Sequence, residues 1–82
     1  MAATSFHIRW YANGLRGDRL QSALADVTPT AARYGATSWS LHRSRDDRFV
    51  FLQIVEFEDK AGFDRWWHGE EMTVYRTVTS GW

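Results

Sequence analysis

From Arg48 to Phe57 the chain carries apolar residues on two alternating sets, Phe49, Phe51, Val55 and Phe57 on one side and Val50, Leu52 and Ile54 on the other. A period of two over ten residues predicts a β-strand. A strand apolar on both faces needs cover on both faces. Phe6–Ala12 alternates as well, with Phe6, Ile8 and Trp10 on one face and His7, Arg9 and Tyr11 on the other. Thr37–Arg43 predicts a further strand, with Trp39 and Leu41 sharing a face, and the polar run Ser44–Asp47 predicts the hairpin turn that follows.

Two stretches switch to helical spacing. Leu20, Leu24, Val27 and Ala31 form one apolar stripe after the turn residues Asn13, Gly14 and Gly17. Asp18 followed by Gln21 resembles a capping box, which predicts a helix start. Pro29 either kinks this helix or stands at the first position of a second one capped by Thr28, and Gly35 is a natural stop. After the third strand, Asp59 can cap a helix that presents Phe63, Trp66 and Trp67 within two turns. Gly69 interrupts it, and a second helical piece carries Met72 and Tyr75. Three large aromatics on so short a helix bury about 150–250 Å² each. They must serve as core, as subunit interface or as the wall of an aromatic pocket.

The predicted order is strand, helix, strand, strand, helix, an α+β ferredoxin-like βαββα(β) sandwich in one domain over residues 1–82. Its final strand is expected to be missing or truncated, because the sequence stops at Ser80-Gly81-Trp82 where that strand should begin. An edge of the sheet would then be unpaired. The helices suffice to cover only one face, so a homodimer packed sheet to sheet is expected.

Composition supports the same picture. A single domain of 82 residues without cysteine has neither disulfides nor a thiolate metal site to reinforce it, and oligomerisation is the usual remaining device. Ten basic and ten acidic residues cancel and are scattered, which argues against a nucleic-acid partner. The N-terminus lacks a secretion signal and no stretch approaches a membrane span, so a cytoplasmic, membrane-free protein is expected.

The element order, the twice-buried third strand and the run Glu56–Met72, with Phe63-x-x-Trp66, the Gly69 break and the helical piece from Glu70, resemble the antibiotic biosynthesis monooxygenase family of small dimeric α+β barrels. That resemblance implies a cofactor-independent monooxygenase acting on a phenolic or polycyclic aromatic compound. It also admits haem-degrading and polyketide-cyclase relatives. For haem-degrading members it matches Trp66 but puts His7 at the first-strand Asn position and Tyr75 near the ligand position, so no cofactor is expected. For the cofactor-free members it matches Trp66 again, puts Gly62 at the Asn position, and leaves Tyr75 and Arg76 for the other roles.

The residues themselves suggest chemistry beside that resemblance. Oxygenating a phenol begins with loss of a proton, which His7 could accept while Arg9 holds the phenolate. His7, Trp66 and Tyr75 are the catalytic candidates; Arg9, Tyr11, Phe63, Trp67, Met72 and Arg76 are the candidates for binding substrate. Each has a plainer reading, the aromatics as core and His7 as an ordinary strand residue. His42 is read as solvent-exposed and His68 as a helix C-terminal residue favoured by the dipole. The three histidines have no metal-ligand spacing. A non-catalytic dimeric ligand-binding or assembly subunit is the alternative function. The discriminating observation is whether an open pocket reaches Trp66 and His7 or side chains fill that space.

Overall fold

The computed structural model describes residues 3–82; the expected domain span 1–82 includes Met1 and Ala2, which lie outside the described residues. The chain runs β1 (Thr4–Tyr11), a 3₁₀ turn (Gly14–Arg16), α1 (Gly17–Val27), a 3₁₀ segment (Thr28–Tyr34), β2 (Ser38–Arg43), β3 (Val50–Phe57), α2 (Lys60–Trp67) and α3 (Glu70–Val78). Among the described residues the sheet has three antiparallel strands in the order β1-β3-β2. This is the expected α+β sandwich, and among the described residues it has no fourth strand and no strand beside the outer edge of β1.

The register sets the faces. Phe6 pairs with Val55 and Trp10 with Phe51, so these side chains point together toward the helices. Phe51, Val55 and Phe57 are buried there with Leu20, Leu24, Val27, Ala31, Trp66 and Met72. His7 pairs with Ile54 and Arg9 with Leu52 on the other face, which no helix covers. The central strand is therefore buried at every second residue and half-buried at the rest.

Three local expectations change. Phe49 is not in the third strand: the Asp47 carboxylate accepts from its N–H at 3.1 Å, holding it in the turn with its ring exposed. Asp18 and Gln21 do not form a capping box, because both turn to the Arg43 guanidinium, each at 2.8 Å. Arg43 also holds the Asp18 carboxyl below the usual carboxylate range. At Pro29 the helix neither kinks nor restarts from a Thr28 cap. Thr28 instead donates to the Leu24 carbonyl at 2.6 Å and the chain tightens into 3₁₀ geometry. Gly35 ends that segment at φ +95°, where a left-handed backbone favours glycine.

Among the described residues two polar side chains, Gln53 and Thr28, are buried in the core. Gln53 is wholly enclosed, accepts from Trp10 Nε1 at 3.1 Å and donates to Thr28 Oγ1 at 2.7 Å. Paired on both sides, it ties β1 and β3 to the start of the 3₁₀ segment without the penalty of an unsatisfied amide.

Candidate functional site

Asp59 caps α2 as expected, accepting from Gly62 N–H at 3.1 Å. This fixes the rotation of the helix. Consecutive residues of a helix point about 100° apart, and Trp66 and Trp67 separate accordingly. Trp66 points inward, 0% exposed, and donates from Nε1 to Thr30 Oγ1 at 3.1 Å. Trp67 points sideways and stays half-buried.

Trp67 belongs to a continuous aromatic run alongside β1. Phe6 stacks on Phe63 at 4.1 Å with 10° between planes, Phe63 stacks on Trp67 at 5.7 Å, and Trp67 stacks on Trp10 at 5.9 Å. Tyr75 closes the run, meeting Trp10 edge-on at 5.0 Å. The Arg76 guanidinium lies over the Trp67 ring at 4.8 Å, a geometry worth about 0.5–2 kcal/mol. Its Nη1 is buried and has no hydrogen-bond partner, and neither has the Tyr75 hydroxyl. Burial pushes the Tyr75 phenol well above its ordinary range, so it is neutral at any physiological pH and can donate a hydrogen bond. The Thr79 hydroxyl, one turn on, is committed to the Tyr75 carbonyl at 2.8 Å.

The candidate residues fall into three places. Phe63, Trp67, Tyr75 and Arg76 come together in this aromatic run. Trp66 and Met72 are sealed in the core at 0% exposure. His7, Arg9 and Tyr11 stand exposed on the opposite face of the sheet. The sheet thus lies between His7 and Trp66, and no shared pocket joins them. His7 is thereby also kept apart from Tyr75, which lies on the helix side of the sheet with Trp66. Gly62 shows why an asparagine is absent at that position: a Cβ there would meet the Phe57 ring at 2.9 Å. Gly69 is required by a close approach too, since a Cβ would lie 2.6 Å from the Tyr34 hydroxyl. His42 is exposed beside Ser40, and His68 closes α2, as expected.

Sequence reasoning passed over Trp10 as a site residue, although its place on the face of Phe6 and Ile8 was readable. It also passed over a groove of about 510 Å³ between α3 and the α1–3₁₀ segment, lined by residues such as Asp26, Val27, Glu70, Val74 and Tyr75. Among the described residues no cluster of three potential metal ligands occurs, and no helix is long and apolar enough to cross a membrane.

No family model matches the chain, and no curated protein matches it significantly in sequence. Solved structures do. A provisionally assigned antibiotic biosynthesis monooxygenase from Bordetella bronchiseptica superposes with a TM-score of 0.82 at 15% identity, over 96% of this chain and 83% of its own. SnoaB, a cofactor-independent oxygenase from Streptomyces nogalater crystallised as an asparagine-to-alanine variant, superposes with a TM-score of 0.77 at 22% identity, over 92% and 76%. At those identities the likeness is one of architecture: this chain has the ferredoxin-like α+β fold of the antibiotic biosynthesis monooxygenase type.

Proposed function

We propose that the protein binds a flat phenolic or polycyclic aromatic compound against the run of Phe63, Trp67 and Trp10, and oxygenates it without a cofactor. The observation that carries this reading is Arg76, whose guanidinium sits on Trp67 with a buried, unpartnered Nη1. A desolvated cation beside an aromatic surface suits the oxygen of a bound phenolate. Arg76 would lower the substrate's pKa, the proton leaving to water, while neutral Tyr75 donates to the same oxygen. The electron-rich ring then reacts with O₂. For an anthrone the balance is anthrone plus O₂ giving the quinone plus water: the reacting carbon loses two hydrogens and gains one oxygen, and the second oxygen leaves as water. The oxygenase neighbour of like fold supports this direction.

A second reading is favoured by Trp66 and Gly62. The space around Trp66 is filled by Phe57, Phe63 and the Thr30 hydroxyl. A sealed interior suits a dimeric ligand-binding or assembly subunit that performs no chemistry. Both readings include a homodimer through the open face, where Val50, Leu52 and Ile54 form an apolar stripe between His7, Arg9 and Tyr11 on one side and Ser40 and His42 on the other. We place the protein in the cytoplasm.

Oxygen uptake with a panel of anthrones and hydroquinones tests the first reading. Turnover that disappears in Arg76→Gln supports it; ligand binding by fluorescence quenching of Trp67 and Trp10 without any uptake transfers the conclusion to the second. Sedimentation tests the dimer. Leu52→Asp is expected to yield a folded monomer, because a charge on the stripe is costly only when a partner buries it. A wild-type chain that sediments as a monomer at micromolar concentration would remove the dimer from both readings.

A further inference from the structure

On the helix-facing side of β3, Phe51, Val55 and Phe57 are apolar and sealed, and Gln53 stands among them at 0% exposure. An apolar side chain of similar size would fill that room with no amide to satisfy. The hydrogen bonds around Gln53 show what the amide adds. An indole N–H can only donate and a backbone carbonyl can only accept. Thr28 gives its hydroxyl hydrogen to the Leu24 carbonyl at 2.6 Å, so its oxygen is left to accept from Gln53 Nε2 at 2.7 Å. Gln53 Oε1 is then left for Trp10 Nε1, at 3.1 Å. Both ends of this chain of bonds fix its direction, and only one orientation of the amide fits.

Trp10 is the residue that this arrangement orients. It pairs with Phe51 while Ile8 pairs with Gln53, so Trp10 and Gln53 are diagonal neighbours on one face of the sheet. The last torsion of a tryptophan side chain is broad and close to two-fold. Packing alone discriminates weakly between an indole and its flipped counterpart, but a hydrogen bond does not, because flipping turns Nε1 away from its acceptor. A fully satisfied buried network of this kind specifies one arrangement of the side chains it joins. In that arrangement Trp10 stacks on Trp67 at 5.9 Å with 29° between planes, and meets Tyr75 at 5.0 Å and 87°. Trp10 is half-buried and Gln53 is enclosed, so the group that sets the ring lies behind it.

We propose that Gln53, itself held by Thr28, is a positioning residue that fixes Trp10 so that Trp10 and Trp67 present one continuous face to a flat ligand. The proposal rests on the reading that the aromatic run binds such a ligand. Gln53 does not touch the ligand and acts through Trp10.

The test uses the isotope-labelled full chain and 1-naphthol as the flat phenol. In the free wild-type protein the Trp10 indole N–H is expected to be protected from hydrogen exchange as the backbone amides of β3 are. Gln53→Met keeps the volume and removes both amide bonds. Thr28→Val keeps the shape and removes the hydroxyl that holds the amide. In each variant the backbone amide signals of α2 and α3 should stay in place while the Trp10 indole signal moves and exchanges faster. Calorimetry should show 1-naphthol bound about 2- to 10-fold more weakly, the worth of one hydrogen bond. A merely structural Gln53 would lower the unfolding midpoint and leave the Trp10 indole signal and the affinity unchanged, and either of these unmoved would overturn the proposal. So would a wild-type Trp10 indole N–H that exchanges as freely as one in water, a result that requires no variant to fold. A wild-type protein that holds the indole but takes up no 1-naphthol would overturn the binding reading and the role of Gln53 with it. The two failures are distinguishable because exchange is read on the free protein and affinity on the complex.

Discussion

Trp66 and Trp67 are neighbours in the sequence and differ in everything their surroundings decide. Trp66 is enclosed, its indole N–H paired with Thr30 and its ring against Phe57 and Phe63. Trp67 is stacked between Phe63 and Trp10, half-buried, with a cation over its face. One ring is finished by the protein; the other offers contacts a ligand can extend. The tryptophan expected to wall a pocket is therefore sealed in the core, and the reachable aromatic surface belongs to its neighbour.

The comparison breaks most readily by truncation. Trp66→Ala removes a fully buried indole, a loss of about 3–5 kcal/mol, while the Thr30 hydroxyl keeps its bond to the Val27 carbonyl. For a chain of this size that is a large fraction of the total stability. Trp67→Ala gives up stacking on two rings and the cation contact but leaves a gap open to solvent, so a loss of about 1–2 kcal/mol is expected. Urea unfolding of the two variants checks the ranking. Equal losses would mean that Trp67 is as much a core residue as Trp66 and would leave no accessible aromatic surface.

A sharper probe leaves both rings in place. Arg76→Gln removes the cation over Trp67 while retaining much of the side-chain volume, and the buried Nη1 lacks a partner to strand. Stability should change by less than about 1 kcal/mol, whereas affinity for a phenolate ligand should fall about tenfold, the worth of one charge-assisted contact. The fluorescence shift of Trp67 on titrating such a ligand should have its midpoint at about tenfold higher concentration in the variant than in the wild type. A variant that binds as well as the wild type would show that the guanidinium serves packing only.

The sequence carried most of the fold because its signals were local or strictly periodic. The alternation in β3, the Asp59 cap and the Gly69 break each depend on neighbours within a few residues, and each appears where the pattern placed it. The helix begins at Gly17, next to the expected Asp18, but the capping box was misread, because the partner that takes the Asp18 carboxylate, Arg43, is 25 residues away on β2. Local capping rules do not register such a competitor. The site was less legible still. Trp66 and Trp67 have the same composition and nearly the same position, and only the angle at which α2 meets the sheet sorts them. His7 and Arg9 were readable as one face of a strand. That the helices would lie on the opposite face depended on Phe6, Ile8 and Trp10 being larger and more apolar, a comparison the pattern already contained.

The smallest effect concerns how α3 is held, and so how Arg76 is kept over Trp67. Tyr34 donates to Glu71 at 2.6 Å. That bond is the leading cause holding the Glu71 carboxyl below its ordinary value of 4.5, with Arg33 a lesser one, and it also raises the Tyr34 phenol above its ordinary 10.0. A carboxyl depressed in the folded state contributes stability that is present above the unfolded value and lost as pH falls through the folded one; a phenol that is raised contributes below its unfolded value and loses it as pH rises through the folded one. The tie is therefore at full strength between about pH 4.5 and 10. In Tyr34→Phe the Glu71 carboxyl should titrate closer to 4.5, while Asp18, held by Arg43 elsewhere in the fold, should stay low and serve as the internal standard. Carboxyl-detected NMR reads both groups in one titration. A Glu71 titration unchanged by the substitution would mean that its backbone hydrogen bond and Arg33 set it, and that the phenol does not hold the first turn of α3.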